Sequence, residues 1–487
     1  MPKEKALKLQ KLDIKQAVTI LGIIATYVII VLLPVPKGLT PSGLKAIALM
    51  VCLVLAWATQ VIPILVSSIC FIFLAGLVGL ETTTLDAAGN FEKLGQLQII
   101  KEFATPTIFF MFVSILLAYA MDKCGMNQRL ALALTAMSRG NPKAMICFFT
   151  VGTALISTVI SNVPSCAAFF PIVLAVCKNN DCVKGKSNFA KASVIGIIFG
   201  AMVGGNATPA GTPINIMALD LLKAGTGIEI TFAQWSLMGI PLALAIIPLI
   251  CLILILVFPP EFKQLAGVEE AKIDLAKLGK LNPQEIKFIV MSIIMLVLWF
   301  TEGYLHSLST TTVLTLYATL LFFPGIRLLD FEYVQHKLDW TVIIMTGASI
   351  AFGATMLKTG ASSWIANIAL KPFAGAGPLV LVFVLAIFTT VIHLLIPSCP
   401  ALVGVLVPTV LAFAMDNNMP VMMLFLPVAF NVSTYWLLPF DPLPMMCYPE
   451  KYFSIKDFFK AGWIAHAVLI LVSVVVVMLI GKPLLGF

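Results

Sequence analysis

Long, evenly spaced apolar runs constrain this chain more than any other feature. Thirteen fall near residues 17–33, 42–60, 62–80, 105–121, 144–177, 192–222, 235–258, 286–301, 310–323, 340–357, 377–414, 419–440 and 463–481. A helix rises 1.5 Å per residue, so about 20 apolar residues cross a hydrocarbon layer of about 30 Å. Most of the runs have that length. Charge is correspondingly scarce. Of the 487 residues, 11% are charged and 60% hydrophobic, against about 25% and 45–50% in soluble domains. So few charges cannot dress a water-facing surface, which excludes a soluble enzyme, a disordered chain and a nucleic-acid binder. The pattern predicts an all-α polytopic membrane protein with the lipid bilayer as its main solvent.

Two runs, 144–177 and 377–414, are too long for one span and carry a polar break in the middle. Two others are interrupted, by GGNATPAGTPIN within 192–222 and by NVSTYWLLPFDPLP after 419. If each overlong run is a hairpin that re-enters and leaves on one side, the basic residues sort. The N-terminal tail and the loops near 123–143, 178–191, 259–287, 327–337 and 451–460 then share a face carrying 23 of the 31 Lys and Arg. Cytoplasmic loops carry such an excess. The expectation is about eleven spans and two re-entrant hairpins, the N-terminus cytoplasmic and the C-terminus outside. The first span follows MPKEKALKLQKLDIK and is expected to stay rather than be cleaved. Segment 259–287 reads as a cytoplasmic amphipathic helix on the membrane surface, and 88–104 as its outer counterpart.

The ten cysteines show no CxxC or zinc-type spacing, so neither a metal nor a disulfide framework is expected. There is no HExxH, no GxSxG and no paired acidic motif within a span, which argues against a membrane-embedded enzyme. The polar residues concentrate at two places rather than along a pore, which argues against a channel.

Those two places resemble each other. The first long run contains SNVPSCAAFFP, Ser161 to Pro171, and the second SCPALVGVLVP, Ser398 to Pro408. Each is followed by a broken helix, at Thr212-Pro213-Ile214-Asn215 and at Asp441-Pro442-Leu443-Pro444. In the orientation above, the hairpins enter from opposite sides, so the two units form an inverted repeat. Paired interruptions of this kind point to a transporter binding site. Backbone N–H groups at a helix break must face protein or a water-filled cavity. Helix N-termini attract anions without a cationic side chain, and Ser, Thr and Asn add short donors. Two opposed tips could hold the two ends of a dianion.

At these residues the chain resembles the divalent anion/sodium symporter family of di- and tricarboxylate transporters. Members carry two Ser-Asn-Thr motifs at opposed hairpin tips and two unwound helices with Thr-Pro-type turns. The first motif matches at Ser161 and Asn162, with Val163 replacing Thr. The second matches only at Ser398, with Cys399 and Pro400 in place of Asn and Thr. The first break, Gly-Thr-Pro-Ile-Asn at 211–215, fits well; Phe-Asp-Pro-Leu-Pro at 440–444 diverges.

The resemblance implies substrate contacts at Ser161, Asn162, Val163, Thr212, Pro213, Asn215, Ser398, Cys399, Pro400, Asp441 and Pro442. Where sodium binds, it implies ligands at Ser157, Asn162 and Gly205. It implies a homodimer and elevator movement. A scaffold would form from 17–123 and 235–357, and a transport domain from 143–234 and 372–487, after a cytoplasmic tail at 1–16. It implies a C4–C5 dicarboxylate substrate and counter-substrate, no cofactor, and a bacterial plasma membrane. Cys399 stands where the family pattern has a sodium-site asparagine, and a thiol is a poor ligand for a hard cation. His393, five residues before Ser398, is a candidate for the missing positive charge. Sodium-independent exchange is therefore expected, with sodium-coupled symport as the alternative. Plainer roles stand beside these: Ser161 and Asn162 as helix caps, Asp441 as an N-cap, His393 as a satisfied structural histidine and Cys399 as packing. Asp122, Asp220 and Glu302 are expected to be solvated at span ends, and His306 and His466 to lie at interfaces. The run Phe109 to Phe112 reads as lipid-facing or packing surface.

Overall fold

The computed structural model describes residues 14–85, 91–338, 340–395, 399–439 and 441–487. The apolar runs are helices. The first, Ile14–Leu32, buries none of its side chains and rests on Pro41–Thr59. Leu21, Ile24 and Ile29 are exposed, as suits side chains whose surroundings are lipid tails as apolar as themselves. The second is punctuated by its sequence: Thr40 accepts from the Gly43 N–H at 2.8 Å, and Pro41 opens the helix with its preset φ.

Segment 88–104 departs from expectation. Its described part begins with strand Phe91–Leu94, paired antiparallel with Leu80–Leu85 in the register Leu80↔Leu94 and Glu81↔Lys93. Helix Gln96–Phe103 follows. The three consecutive threonines 82–84 favour the strand, since β-branched side chains are stiff in helices and fit a pleated surface. Within 259–287 the helix is confined to Val268–Leu278. It is tied down by Arg129, whose Nε donates to Glu285 Oε1 at 2.6 Å and whose Nη1 donates to Gly279 O at 2.8 Å. Glu285 also completes a capping box with Asn282 at the start of Pro283–Phe300.

Each overlong run folds as two helices packed on each other. Pro142–Ser157 is followed by Asn162–Asn179, and Pro378–Leu395 by Cys399–Asp416. Both second arms carry an internal proline, Pro171 and Pro408. The two interrupted runs divide as predicted. Asn188–Asn206 gives way to Pro213–Thr226, and Val421–Val432 to the short helix Pro442–Cys447.

The side chains gather into three buried clusters. The largest joins both hairpins, both broken helices, Phe232–Val257 and the last long helix, Ile455–Val476. A second centres on Pro106–Lys123, Pro283–Phe300 and Thr310–Phe322. A third links Pro41–Thr59, Ile64–Leu77 and Trp340–Lys358, and reaches Ala401 and Val405 of the second hairpin. Backbones approach closely where glycine permits. A Cβ on Gly200 or Gly204 would fall 2.3 Å from Thr150 O and 2.0 Å from Ala154 O, so Asn188–Asn206 fits the first hairpin only with glycine there.

Candidate substrate site

The first hairpin turns at residues 158–161. Ser161 precedes helix Asn162–Asn179 but its hydroxyl does not cap it. The first N–H groups of that helix are thus left for another partner. Asn162 reaches back into the first break. With its amide nitrogen turned toward the surrounding acceptors, it donates to Gly211 O at 3.1 Å, Ala201 O at 3.0 Å and Ser157 Oγ at 2.8 Å. The acceptor-only surroundings fix that orientation. Gly205 makes room for it, since a Cβ there would lie 2.0 Å from the nearer carboxamide atom of Asn162.

The break itself is held by its own polar residues. Thr208 donates to Thr158 O at the hairpin turn, and its Oγ1 accepts from Gly211 N at 3.0 Å. Asn215 Nδ2 donates to Gly205 O at 2.8 Å and Thr208 O at 2.9 Å. Thr212 is the N-cap of Pro213–Thr226, and its Oγ1 lies 3.4 Å from Ile214 N. Hard oxygens therefore converge on this knot: the Ser157 hydroxyl, the carbonyls of Ala201, Gly205 and Gly211, and the Asn215 carboxamide. Asn215 Oδ1 is buried and has no hydrogen-bond partner.

Beside the knot lies a cavity of about 500 Å³, within the range of pockets that hold small ligands. Ser161, Val163 and Pro164 of the hairpin and Pro213 of the break line one side. Met111, Ser114, Ile115 and Tyr119 of helix Pro106–Lys123 line the opposite side. Met446, from the helix after the second break, completes it. That helix is fixed against the hairpin by the buried Cys166 and Cys447, whose sulfurs lie 3.8 Å apart.

The second half gathers different chemistry. Asp441 is the N-cap of Pro442–Cys447, with Oδ1 3.4 Å from Leu443 N. The Cys399 thiol donates to Asp441 Oδ2 at 3.1 Å, and His393 Nε2 lies 3.7 Å from the same sulfur. The His393 ring packs on Tyr435 at a centroid distance of 4.1 Å. His393, Cys399 and Asp441 are all buried.

The expected residues thus divide. Ser161, Val163 and Pro213 meet at the cavity. Ser157, Asn162, Gly205, Thr212 and Asn215 form the adjoining knot. His393, Cys399 and Asp441 form a separate cluster that does not line the cavity. Pro400 sits in the first turn of Cys399–Asp416 and Pro442 opens its short helix. Ser398 lies outside the described residues. His466, expected at an interface, is instead buried, with Nε2 2.7 Å from Thr390 Oγ1 and Trp436 edge-on at 6.1 Å. Met111 belongs to the cavity wall rather than to plain packing surface.

Sequence reasoning missed a clasp between the two breaks. Asn206 Nδ2 donates to Phe430 O at 2.9 Å, its Oδ1 accepts from Ser433, and its carbonyl accepts from Trp235 Nε1 at 3.0 Å. Asn206 stood within the quoted interruption, but its side-chain partners, Phe430 and Ser433, are more than 200 positions away. Lys337 was missed too. It lines the cavity but falls in a loop that hydropathy assigns only to a side of the membrane.

The family profile described as the sodium:sulfate symporter transmembrane region matches residues 14–487. A membrane protein of Cupriavidus necator is 26% identical over 453 residues, covering 90% of this chain and 87% of its own. The sodium-dependent dicarboxylate transporter SdcS of Staphylococcus saprophyticus is 25% identical over 484 residues, covering 94% and 90%. SdcS of Staphylococcus aureus strain USA300 is 24% identical over 475 residues, covering 93% and 88%. Among solved structures, the Alcanivorax borkumensis YdaH transporter superposes with a TM-score of 0.52 at 11% identity, over 91% of this chain and 99% of that one. That likeness concerns the fold. A profile matched along nearly the whole chain, over a helix order already predicted from the hairpin motifs, makes this integral multi-pass membrane protein a member of the divalent anion/sodium symporter family, and a transporter rather than an enzyme.

Proposed function

We infer that the protein is a secondary transporter of C4–C5 dicarboxylates such as succinate, malate or 2-oxoglutarate. The observation that carries this reading is the cavity between Pro106–Lys123 and the first hairpin. One wall presents the Ser161 hydroxyl and the uncapped start of Asn162–Asn179. A carboxylate is expensive to desolvate and needs several donors. A helix N-terminus and a hydroxyl supply them without a fixed counter-charge, so the loaded site is not held by an ion pair it must break on each cycle. The relatives named as dicarboxylate transporters support the same substrate class.

Coupling to sodium is the better supported alternative, although the sequence favoured sodium-independent exchange. Hard oxygens suit sodium, and Ser157, Ala201, Gly205, Gly211 and Asn215 bring them to the knot around Asn162. The names of the relatives and of the family agree with this. Exchange remains the second reading, carried by the other half. There a thiol, an imidazole and a carboxylate meet in place of an oxygen cage, and a thiol is a poor ligand for a second sodium.

For movement, the largest buried cluster is the natural mobile unit of an elevator. It includes Phe232–Val257, which packs on Asn188–Asn206, on Pro142–Ser157 and on the last long helix. In this reading Phe232–Val257 travels with the hairpins, and the packing supports drawing the mobile unit to include it. A homodimer in a bacterial plasma membrane with a cytoplasmic N-terminus completes the proposal.

Uptake of labelled succinate into proteoliposomes, with a panel of unlabelled organic acids and with or without a sodium gradient, tests it. Competition by C4–C5 dicarboxylates is expected. Concentrative uptake that needs sodium supports symport, whereas uptake that needs only internal dicarboxylate supports exchange. No uptake of any such acid under either condition refutes the substrate class.

A further inference from the structure

Lys337 and Asp122 are the charged side chains among those lining the cavity. Their side chains are 46% and 51% exposed, whereas Pro213 on the same cavity is buried, so the two stand at its solvent end. They come from different elements: Asp122 from the end of Pro106–Lys123, Lys337 from the end of Phe331–Lys337. Tyr333 fixes them together. Its hydroxyl donates to Asp122 Oδ2 at 2.8 Å and accepts from Lys337 Nζ at 2.7 Å. Lys337 Nζ also lies 3.2 Å from Asp122 Oδ2 and 4.3 Å from the centre of the Tyr333 ring. The Tyr119 hydroxyl, itself at the cavity, donates to Lys337 O. The neighbouring Lys123 is paired with Asp330, its Nζ 5.6 Å from the centre of the Tyr333 ring.

An exposed ion pair contributes at most about 1 kcal/mol to stability. Stability alone is thus a weak reason to hold Lys337 by a carboxylate, a ring face, a hydroxyl and a backbone anchor. The Tyr333 hydroxyl, with Asp122 behind it, raises the Lys337 ammonium above the usual lysine range, so it stays cationic. A charge fixed at the mouth of a low-dielectric cleft focuses its field along the cleft.

We propose that Lys337 and Asp122 form an electrostatic filter at the cytoplasmic mouth of the cavity, Lys337 drawing the dianionic substrate in and Asp122 moderating that pull. The proposal rests on the dicarboxylate reading above. It makes the two residues act in opposite directions on the same quantity, which a merely structural ion pair does not. A unit charge acting on a dianion about 8 Å away in a largely aqueous mouth changes its local concentration roughly three- to tenfold.

The test uses everted membrane vesicles of cells expressing the full chain, in which the cytoplasmic face meets the added substrate. At low ionic strength Lys337→Gln should raise the KM for succinate roughly three- to tenfold, and Asp122→Asn should lower it by a similar factor. Vmax should stay near wild type, Lys337→Arg should restore KM, and the double variant should fall between the singles. At about 0.5 M salt the values should converge, because the Debye length shrinks to a few ångströms. Monodisperse solubilised protein checks folding. If both single variants shift KM in the same direction, or change Vmax instead, or differ equally at all salt concentrations, the filter is wrong. Wild-type KM in both variants overturns it as well. No succinate uptake by wild-type vesicles would instead defeat the dicarboxylate reading on which the filter depends.

Discussion

Gly205→Ala is the sharpest perturbation of the proposed sodium knot. A Cβ at that position would lie 2.0 Å from the nearer carboxamide atom of Asn162 and 2.9 Å from its Cγ. No such contact survives, and Asn162 is the softer partner, so its carboxamide must leave. It would forfeit its bonds to Gly211 O, Ala201 O and Ser157 Oγ. Net loss is about 1 kcal/mol per hydrogen bond, with a further 1–3 kcal/mol for an acceptor left buried. Displacing Asn162 therefore costs roughly 4–6 kcal/mol, or about 700- to 20,000-fold in an affinity that depends on it. In proteoliposomes, the sodium concentration giving half-maximal succinate uptake should rise by about that factor, or uptake should be lost. Gly22→Ala, where the added carbon meets nothing within 4 Å, should behave as wild type. If Gly205→Ala retains wild-type sodium activation and uptake in a monodisperse preparation, the knot does not do what its geometry suggests.

Other expectations follow from the same contacts. Ser161→Ala should weaken succinate binding by about ten- to a hundredfold, the worth of one hydrogen bond to a charged group, with little change in melting temperature; isothermal titration on purified protein reads it. Asn206→Ala should lower thermal stability instead, by roughly 2–4 kcal/mol, because it orphans Phe430 O and Ser433 inside the core; a melt followed by tryptophan fluorescence checks this. Cys399→Asn should increase the sodium dependence of uptake if the second half has given up a cation site, and an unchanged sodium response would argue otherwise. Arg129→Ala leaves Glu285 buried without its partner and should cost about 3–5 kcal/mol, seen as a lower melting temperature without a change in substrate selectivity.

Much of the fold was legible because lipid imposes a simple rule. A span must be long, apolar and internally hydrogen-bonded, so hydropathy and length place Phe232–Val257 or Pro283–Phe300 within a few residues. The hairpins were legible for a related reason. A polar break in a run too long for one crossing must be buried in protein, which predicts two packed helices there. Threonines 82–84 defeated the same logic, because local strand pairing outside the membrane leaves no hydropathy signal.

The site was legible by half. Ser161, Asn162 and Pro213 announced themselves through motif and proline. The partners of Asn206 and the cavity role of Met111 and Lys337 depend on contacts across long sequence separations, which no local pattern encodes. His466 looked interfacial because a lone polar residue near a span end usually is. It is buried because Thr390 of the second hairpin offers it a hydrogen bond. The choice between exchange and symport was hardest, since the two halves carry opposite signals. Oxygens converge at Gly205, while sulfur and nitrogen meet Asp441.

The position of the bound dicarboxylate is the decisive quantity. A cryo-electron microscopy map of the purified protein in saturating succinate, compared with a map without it, measures this directly. Added density is expected in the cavity between Ser114 and Ser161, with one carboxylate at the start of helix Asn162–Asn179 and Met446 alongside. Added density elsewhere, with this cavity unchanged, would contradict that placement.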